Sequence, residues 1–356
     1  MATEVINVID PDQGAGWHYD SLGGWESNEQ DDISVTTGTN EQHTAKCRCT
    51  GGTADSSCTF TGWTTEAPDN YIKVWTDPAE SYRHNGTYQT GNKFRMEVDG
   101  PGANGILYIL QDHVRIDGIQ IKNPTTDKDS NLVRLATIGA GSDIRFSNCI
   151  VVGGNNALYY DNGFHMLDPD INISIWNCLV YGISSDADSR ALWAGNTNTV
   201  KIYNSTFISG DSGIVRTAGT VTMKNCYVAS GNGQAAYSGT ITKTTCASSD
   251  ATGSAGLQNI AYNTTQFVNV TPGSEDLHLP GAGSALYHTG TDTSGDAAPM
   301  NFTTDIDGDN YYDTGGVRSI GADEYVAGVP PSGFPFHKRG ASLGFNLGMN
   351  RGMMTI

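Results

Sequence analysis

Asp305, Asp307, Asp309 and Asp313 have the spacing of oxygen ligands in a loop that wraps one calcium ion. They occupy positions 1, 3, 5 and 9 of the stretch that begins at Asp305, so oxygens on alternate residues can converge on one point. Asn310 stands at position 6, where such loops have glycine, and no glutamate stands at position 12. These departures favour a solvated acidic turn and leave calcium as the alternative. No other cofactor is expected.

A second group of residues could bind a glycan or a protein surface. Trp176 and Tyr203 hold the same position in two neighbouring copies of a repeated strand, and Lys201 and Lys224 stand beside them. Arg145 lies on the same predicted outer face. Stacked aromatic rings with adjacent cations suit glycans and protein interfaces equally well. If the strand contains a bulge, Trp176 belongs to the core instead.

The predicted outer face carries few carboxylates. Its ten outward positions are Arg115, Asp117, Arg145, Ser147, Ser174, Trp176, Lys201, Tyr203, Thr222 and Lys224. Asp117 is the only acid among them. A glycoside hydrolase needs two or three carboxylates around the scissile bond, and a calcium-assisted lyase needs a basic residue with acidic ligands. The pattern therefore disfavours both activities on this face.

Acidic residues between the strands are the remaining catalytic candidates. They are Asp127, Asp129, Asp161, Asp168, Asp170, Asp186 and Asp188. No spacing among them is specific, so solvated corners are the favoured interpretation. A polysaccharide-degrading enzyme, either a lyase or a glycoside hydrolase, is the alternative.

The cysteines do not predict a metal site. Four soft ligands lie close together in the N-terminal part: His43, Cys47, Cys49 and Cys58. A zinc site usually has a second closely spaced pair, which is absent here, so local packing or one disulfide is favoured. The odd total of seven cysteines argues against a disulfide framework. Cys149, Cys178 and Cys226 recur in the repeat and are expected to be buried free thiols.

A sequence motif that occurs four times predicts where the candidate residues of the outer face lie. The copies are Ile144-Arg-Phe-Ser-Asn148-Cys149, Ile173-Ser-Ile-Trp-Asn177-Cys178, Val200-Lys-Ile-Tyr-Asn204-Ser205 and Val221-Thr-Met-Lys-Asn225-Cys226. The asparagines are 29, 27 and 21 residues apart, a spacing typical of stacked coils. Each phrase alternates apolar and polar residues, as a strand with one buried face does.

The repeat predicts an all-β solenoid. Each asparagine can adopt the left-handed conformation of a sharp corner and bond to the asparagine of the next coil. One coil cannot bury its own inner face, but stacked coils share a continuous core. We therefore expect a right-handed parallel β-helix over residues 106–325, with its asparagines in one ladder.

The segments on either side of the repeat have different compositions. Residues 1–105 show no repeat and hold four of the six tryptophans: Trp17, Trp25, Trp63 and Trp75. We expect a β-rich cap there, because the open end of a solenoid must be covered. Asp20 or Ser21 could cap a short helix in this segment, and Tyr71–Trp75 alternates like a strand.

Residues 326–356 resemble an assembly arm in composition. They are rich in glycine and methionine, carry basic residues and contain no acid. Such a segment cannot form its own core, so we expect an extended arm that becomes ordered against a partner subunit. Its expected contact residues are Phe334, Phe336, Lys338, Arg339, Phe345, Met349, Arg351 and Met353.

Charge and targeting signals exclude several classes. The formal net charge is −18, so a phosphate backbone would be repelled and no nucleic-acid partner is expected. The first residues show no basic, apolar export signal, and no apolar run is long enough to span a membrane. We therefore expect synthesis in a host cytoplasm, followed by residence in a virion or, failing that, outside the cell.

A resemblance to known proteins covers the end of the repeat region. The phrases Asp276-Leu-His-Leu279, Ser284-Ala-Leu286, Asp305-Ile-Asp-Gly308 and Ile320-Gly-Ala-Asp-Glu-Tyr325 resemble the terminal segment of bacterial and phage right-handed β-helix proteins. In the N-terminal part, Trp75-Thr-Asp-Pro-Ala and Tyr82-Arg-His-Asn-Gly are similar to segments of phage-associated β-helix proteins. The resemblance implies the fold and a tail that closes the last coil. That group includes enzymes, adhesins and virion parts, so it does not imply one function.

Together these features favour a non-enzymatic structural protein of a phage-like virion. It would be a capsid decoration or fibre protein in an oligomeric assembly, anchored to other virion subunits by its C-terminal arm. Surface glycans are possible further partners. The alternatives are a tailspike-type polysaccharide-degrading enzyme and a carbohydrate-binding adhesin.

Overall fold

The computed structural model describes residues 2–66, 68–125, 129–136, 138–139, 141–155, 158–166, 171–311 and 317–325. Its elements in chain order are β1 (Thr3–Ile9), α1 (Leu22–Glu29), β2 (Glu41–Cys47), β3 (Cys58–Phe60), β4 (Ile72–Trp75), β5 (Arg95–Glu97), a 3₁₀ turn (Gly102–Asn104), β6 (Leu107–Ile109), β7 (His113–Asp117), β8 (Gln120–Lys122), β9 (Ser130–Leu135), β10 (Asp143–Ser147), β11 (Ile150–Val152), β12 (Asp161–Met166), β13 (Asn172–Trp176), β14 (Leu179–Ile183), β15 (Arg190–Ala194), β16 (Thr199–Tyr203), β17 (Thr206–Ser209), β18 (Ser212–Arg216), β19 (Thr220–Lys224), β20 (Tyr227–Ala229), β21 (Tyr237–Ser238), β22 (Thr242–Thr244) and β23 (Ala247–Ser248).

The strands form three parallel sheets, and successive strands of the coils visit the sheets in turn. Sheet 1 has the order β1-β2-β4-β7-β10-β13-β16-β19-β22. Sheet 2 has the order β23-β20-β17-β14-β11-β8-β5, and sheet 3 has the order β21-β18-β15-β12-β9-β6-β3. From β4 to β21 each coil contributes one strand to each sheet, which is the arrangement of a parallel β-helix, whereas β1 and β2 are consecutive strands of sheet 1. The predicted fold class is confirmed.

The corner between sheets 1 and 2 depends on asparagine. Asn148, Asn177, Asn204 and Asn225 have φ of 51°, 51°, 42° and 54°, a left-handed conformation that asparagine tolerates better than most residues. Asn177 Nδ2 donates to Asn148 Oδ1 at 3.2 Å, and Asn225 Nδ2 donates to Asn204 Oδ1 at 3.2 Å. The predicted ladder is present at these two steps.

Glycine replaces asparagine at the corner of an earlier coil. Gly118 has a φ of +72°, and a Cβ atom there would lie 2.5 Å from Thr76 Oγ1 and 2.7 Å from Arg83 Cζ. The guanidinium of Arg83 fills the space that an asparagine side chain would occupy. Because glycine stands at this corner, Arg83 can lie beside the outer face of sheet 1.

Inward side chains of the coils form one continuous core. Ile144, Phe146, Ile175 and Ile202 are completely buried, as the alternation predicts. All seven cysteines are buried and none is bridged to another. Cys149, Cys178 and Cys226 lie where the repeat placed them.

The N-terminal segment continues the same sheets. The first strands, β1, β2 and β4, lead directly into β7, while β3 pairs with β6 and β5 pairs with β8. All three sheets therefore contain strands from both sides of the boundary expected near residue 105. Sequence reasoning placed it there because these early coils lack the asparagine phrase.

A short helix packs over the first coil. Ser21 caps α1 by accepting a hydrogen bond from Gly24 N at 3.1 Å, and Asp55 Oδ2 accepts another from Leu22 N at 2.8 Å. Trp25 of this helix is completely buried, and its ring lies 5.7 Å from that of Trp63. The helix and these two tryptophans therefore cover core that would otherwise face solvent at this end.

The segment after β23 does not close the last coil. It runs back along the outside of sheet 2 and forms a second apolar cluster with the outward side chains of that sheet. Sheet 2 contributes Ile150, Val152, Leu179, Tyr181, Ile208, Tyr227, Ala229 and Ala247, and the returning segment contributes Phe267, Leu277, Leu279, Leu286, Ile306, Ile320 and Ala322. The expected closing tail is thus a strap on the side of the solenoid, because sheet 2 is apolar on both faces. We call residues 257–325 the strap.

None of the helices in the described part of the chain has the length and apolar character needed to span a bilayer.

Candidate functional site

The outer face of sheet 1 has the register that the repeat predicts. Arg145 pairs with Arg115 and Ser174, and Ser147 pairs with Asp117 and Trp176. The columns continue through the adjoining coils, because Ser174 pairs with Lys201 and Trp176 with Tyr203. Trp176 is therefore an outward residue and no bulge turns it into the core.

The structure extends both columns towards the N-terminus. Lys73 pairs with Arg115, and Trp75 pairs with Asp117. A groove of about 390 Å³ lies over this part of the sheet. Its main lining residues are Lys73, Trp75, Arg115, Arg145, Trp176 and Pro299. Positive side chains and aromatic rings thus share one concave surface.

Aromatic rings hold two of the cations. Lys73 Nζ lies 4.0 Å from the centroid of the Trp75 ring, and Arg115 Cζ lies 3.3 Å from the centroid of the Tyr71 ring. Both are cation–π distances. Lys73 forms no ion pair with the residues that the structure describes. Burial and the neighbouring Arg145 lower the pKa of Arg115, which remains charged at neutral pH.

Asp143 joins the two arginines. It accepts hydrogen bonds from Arg145 Nε at 2.7 Å and Arg145 Nη2 at 2.6 Å. Arg115 Nη2 donates to the same carboxylate at 3.3 Å and to the Pro68 carbonyl at 2.9 Å. Burial opposes ionisation of Asp143, but the arginine contacts outweigh it and lower its pKa. Asp143 therefore stays ionised and fixes both guanidinium groups.

Asp117 is held in a similar way on the other side of the groove. Arg83 donates to its two oxygens at 2.9 and 3.2 Å, and Ser147 Oγ and Asn148 Nδ2 each donate at 2.7 Å. Burial opposes the charge, but Arg83 and these hydrogen bonds lower the pKa of Asp117. This region therefore has an excess of positive charge, although the protein is acidic. Its cations are Lys73, Arg83, Arg115 and Arg145, and its carboxylates are Asp117 and Asp143.

The remaining predicted residues of this face lie further along the sheet. Tyr203 is half-buried with Lys224 Nζ 5.8 Å from its ring centroid, and Lys201 is exposed. Lys224 also pairs with Asp296 of the strap at 2.7 Å. Trp176 and Tyr203 are adjacent as predicted, but the strap reaches this face and covers part of it.

Sequence reasoning missed the N-terminal half of the groove. Lys73 and Trp75 belong to β4, which the alternation of Tyr71–Trp75 predicts, and Tyr71 directly precedes this strand. Aligning Ile72-Lys-Val-Trp75 with Val114-Arg-Ile-Asp117 would have placed Lys73 beside Arg115. Both segments lack the asparagine that marks the other repeats, so the repeat pattern does not reveal this alignment.

The calcium-like pattern gives a different cluster from the one expected. Asp305 Oδ1 accepts hydrogen bonds from Asp307 N at 3.0 Å and Asp309 N at 2.9 Å, and Asp305 Oδ2 accepts one from Glu324 N at 3.2 Å. Asp305 therefore orders backbone amides. Asp307 contacts His278 Nε2 at 3.0 Å. Asp313 lies outside the described residues.

The corner aspartates do not form one site in the described residues. Asp161 is buried, and its carboxylate accepts hydrogen bonds from Gly154 N at 2.8 Å and Asn123 Nδ2 at 3.3 Å. Asp129 accepts one from Tyr160 N at 3.1 Å, and Asp186 accepts one from Asp188 N at 3.1 Å. Asp127, Asp168 and Asp170 lie outside the described residues.

Two further predictions have specific outcomes. His43 contacts Glu41 Oε2 at 3.1 Å and packs edge-on against Trp63, while Cys47 and Cys58 lie in the core. The C-terminal arm lies outside the described residues, including all of its expected contact residues: Phe334, Phe336, Lys338, Arg339, Phe345, Met349, Arg351 and Met353.

Comparison with known proteins adds little beyond this geometry. No protein-family model matches the chain, and no curated protein matches it. A match among solved structures is the crystal structure of the pectate lyase Pel9A, with 13% sequence identity and a TM-score of 0.32. It covers 91% of this chain and 97% of the other.

Proposed function

We propose that the protein is a non-enzymatic, structural β-helix whose groove on sheet 1 binds an acidic glycan. The observation that carries the proposal is the excess of positive charge around Lys73, Arg115 and Arg145. The chain has a formal charge of −18, so a positively charged groove is unusual for this protein. Binding of an anionic ligand would explain this local excess of positive charge.

The groove offers the two contacts that an acidic sugar needs. Arginine and lysine bind carboxylates through charge-assisted hydrogen bonds. Trp75 and Trp176 provide flat apolar surfaces against which sugar rings can pack. In addition, Trp75 Nε1 and Arg115 Nε are buried donors without a hydrogen-bond partner among the described residues. A buried N–H group without an acceptor is unfavourable, and a ligand oxygen could accept a hydrogen bond from each of these donors.

The carboxylates at the groove favour binding over hydrolysis. A hydrolase needs one carboxylic acid that can donate a proton and a second carboxylate as base or nucleophile. Asp117 and Asp143 both have lowered pKa values, and arginines occupy their oxygens. Neither is suited to donate a proton at neutral pH.

The setting that we propose is a phage-like virion. The support is the composition of residues 326–356, which are basic and apolar on an acidic chain and suit an arm bound by another subunit. A capsid decoration or fibre protein with a glycan-binding side would combine both features. Deleting residues 326–356 should abolish incorporation into particles and leave glycan binding unchanged.

A lyase is the second candidate, because Lys73 lies beside the groove and forms no ion pair with the part of the chain that the structure describes. A lyase base removes the proton next to the sugar carboxylate, and the glycosidic oxygen leaves as a double bond forms. Incubation with polygalacturonate or alginate while ultraviolet absorbance is recorded tests this. Absorbance that rises with the wild-type chain and not with Lys73→Ala would replace our proposal.

Binding itself can be tested by electrophoresis through gels that contain a polysaccharide. We expect polygalacturonate or alginate to retard the protein and neutral dextran not to do so. Retardation should weaken as salt rises, since the contacts are ionic. Equal mobility in all gels would contradict the proposal.

A further inference from the structure

We propose that His278, Asp307 and Asp323 form a site for a divalent transition-metal ion that joins separate parts of the strap beside the solenoid. One ligand atom of each residue lies within 4.8 Å of the others. His278 is 3% exposed and Asp323 is 7% exposed. The three residues come from separate parts of the strap, so one ion would cross-link them.

The histidine is oriented as a metal ligand. Asp276 Oδ1 contacts His278 Nδ1, which leaves Nε2 facing Asp307 Oδ2 at 3.0 Å. A carboxylate behind the far ring nitrogen is the arrangement that fixes the tautomer and raises the basicity of metal-bound histidines. Asp276 would thus position His278 without touching the ion.

Asp323 supplies an independent reason for a ligand. Its Oδ2 accepts a hydrogen bond from Leu279 N at 2.7 Å, and the residue as a whole is buried. A buried carboxylate needs hydrogen bonds or a compensating positive charge. A cation bound between His278 and Asp307 would satisfy it.

The surrounding charge points the same way. Asp305 is 1% exposed and Glu324 is 2% exposed, so they add buried carboxylates next to Asp323 and Asp307. His278 forms ion pairs with Asp276 and Asp307. Several buried carboxylates around one imidazole are unfavourable without further positive charge, which a divalent ion provides.

Gly86 closes the cluster on the solenoid side. Its φ is +81°, and a Cβ atom there would overlap Asp307 Oδ1 and His278 Nε2. Only glycine allows this loop of the early coils to approach so closely. An ion at the cluster would therefore lie where the strap meets the loop that contains His84 and Gly86.

The ligand set selects the class of metal. One imidazole nitrogen with two carboxylates suits zinc, manganese, cobalt or nickel, whereas calcium prefers oxygen ligands alone. This differs from the calcium expected from aspartate spacing, which required Asp309 and excluded His278. Among the described residues, Asp307 is the one ligand that the two sites share.

Metal titration of the full chain tests the proposal. The protein is stripped with a chelator and dialysed, and zinc, manganese, cobalt or calcium is added separately. We expect about one zinc ion per chain by elemental analysis and a Tm that rises by about 4 °C or more. Cobalt should give a visible spectrum that reports nitrogen and oxygen ligation.

Matched variants identify the ligands. His278→Gln and Asp323→Asn should each lose the bound zinc and the Tm shift, and Asp309→Asn should retain both. If either ligand variant fails to fold, the cobalt spectrum of the wild-type chain decides. A wild-type chain that takes up no zinc and gives no cobalt spectrum would overturn the site. Stabilisation by calcium alone, lost in Asp309→Asn, would overturn it in favour of the calcium loop.

Discussion

Trp176 stacks on Phe302, with ring centroids 6.2 Å apart and planes inclined by 17°. The first residue belongs to sheet 1 and the second to the strap, so this contact joins the solenoid to the segment that returns along it. Tyr311 of the strap donates to Asn177 Oδ1 at 2.9 Å, next to the same corner. The strap is therefore part of the folded body and forms one wall of the groove.

Removal of the strap should make the solenoid insoluble. A chain ending at Leu257 would expose the apolar outer face of sheet 2, including Leu179, Tyr181 and Tyr227, which the strap buries. Large exposed apolar patches drive association. We expect aggregation in size-exclusion chromatography and strong binding of a hydrophobic dye. A chain ending at Tyr325 is the control and should remain monodisperse; similar behaviour of both chains would contradict the assignment of the strap.

Asn177→Ala should destabilise the fold by about 3 kcal/mol. Alanine is unfavourable at a φ of 51°, and the change also removes the acceptor of Tyr311 Oη and the donor to Asn148. Asn177→Gly keeps the backbone conformation and should cost about 1 kcal/mol less. Urea unfolding measures both variants. Equal losses would show that the left-handed corner contributes little.

The stability of the protein should depend on pH through Asp161. Burial, with Asp129 nearby, raises the pKa of Asp161 from 3.8 to about 6 in the folded chain. Between these values the unfolded chain releases a proton that the folded chain keeps, so the free energy of unfolding falls as pH rises. The fall should be on the order of 2 kcal/mol between pH 4 and pH 7.

Comparison with a variant isolates this contribution. Asp161→Asn cannot titrate, so the difference between wild type and variant should change across this pH range. Asp188→Asn alters a carboxylate whose side chain is 76% exposed and should follow the wild-type profile. If the wild type and Asp161→Asn have parallel profiles in urea unfolding, Asp161 is ionised in the folded protein.

The repeated phrases were sufficient to predict the central coils. Asn148, Asn177, Asn204 and Asn225 fix the corner, and the alternation before each fixes the inward face of sheet 1. The early coils escaped prediction because their lengths vary and because Thr76 and Gly118 stand at the corner. Local sequence therefore could not show that Lys73 lies beside Arg115.

The sequence of sheet 2 indicates that another segment must cover it. Ile150-Val-Val152 and Leu179-Val-Tyr181 are continuous apolar runs, which indicate strands buried on both faces. Something had to cover sheet 2. The sequence does not specify which segment does so, since the contacts of Phe267 and Ile306 with this sheet join distant parts of the chain. The pairing of His278 with Asp307 and Asp323 depends on the same return path.

Isothermal titration with a uronate oligosaccharide measures whether the groove binds an acidic glycan through its cations. The wild-type chain should bind at low salt, and Lys73→Ala should weaken binding about tenfold or more through loss of one charge-assisted contact. Lys201→Ala is the matched control, because this exposed lysine lies on the same face beyond the groove, and its affinity should stay within about twofold of the wild type. Absence of binding by the wild type, or equal weakening in the two variants, would contradict the account.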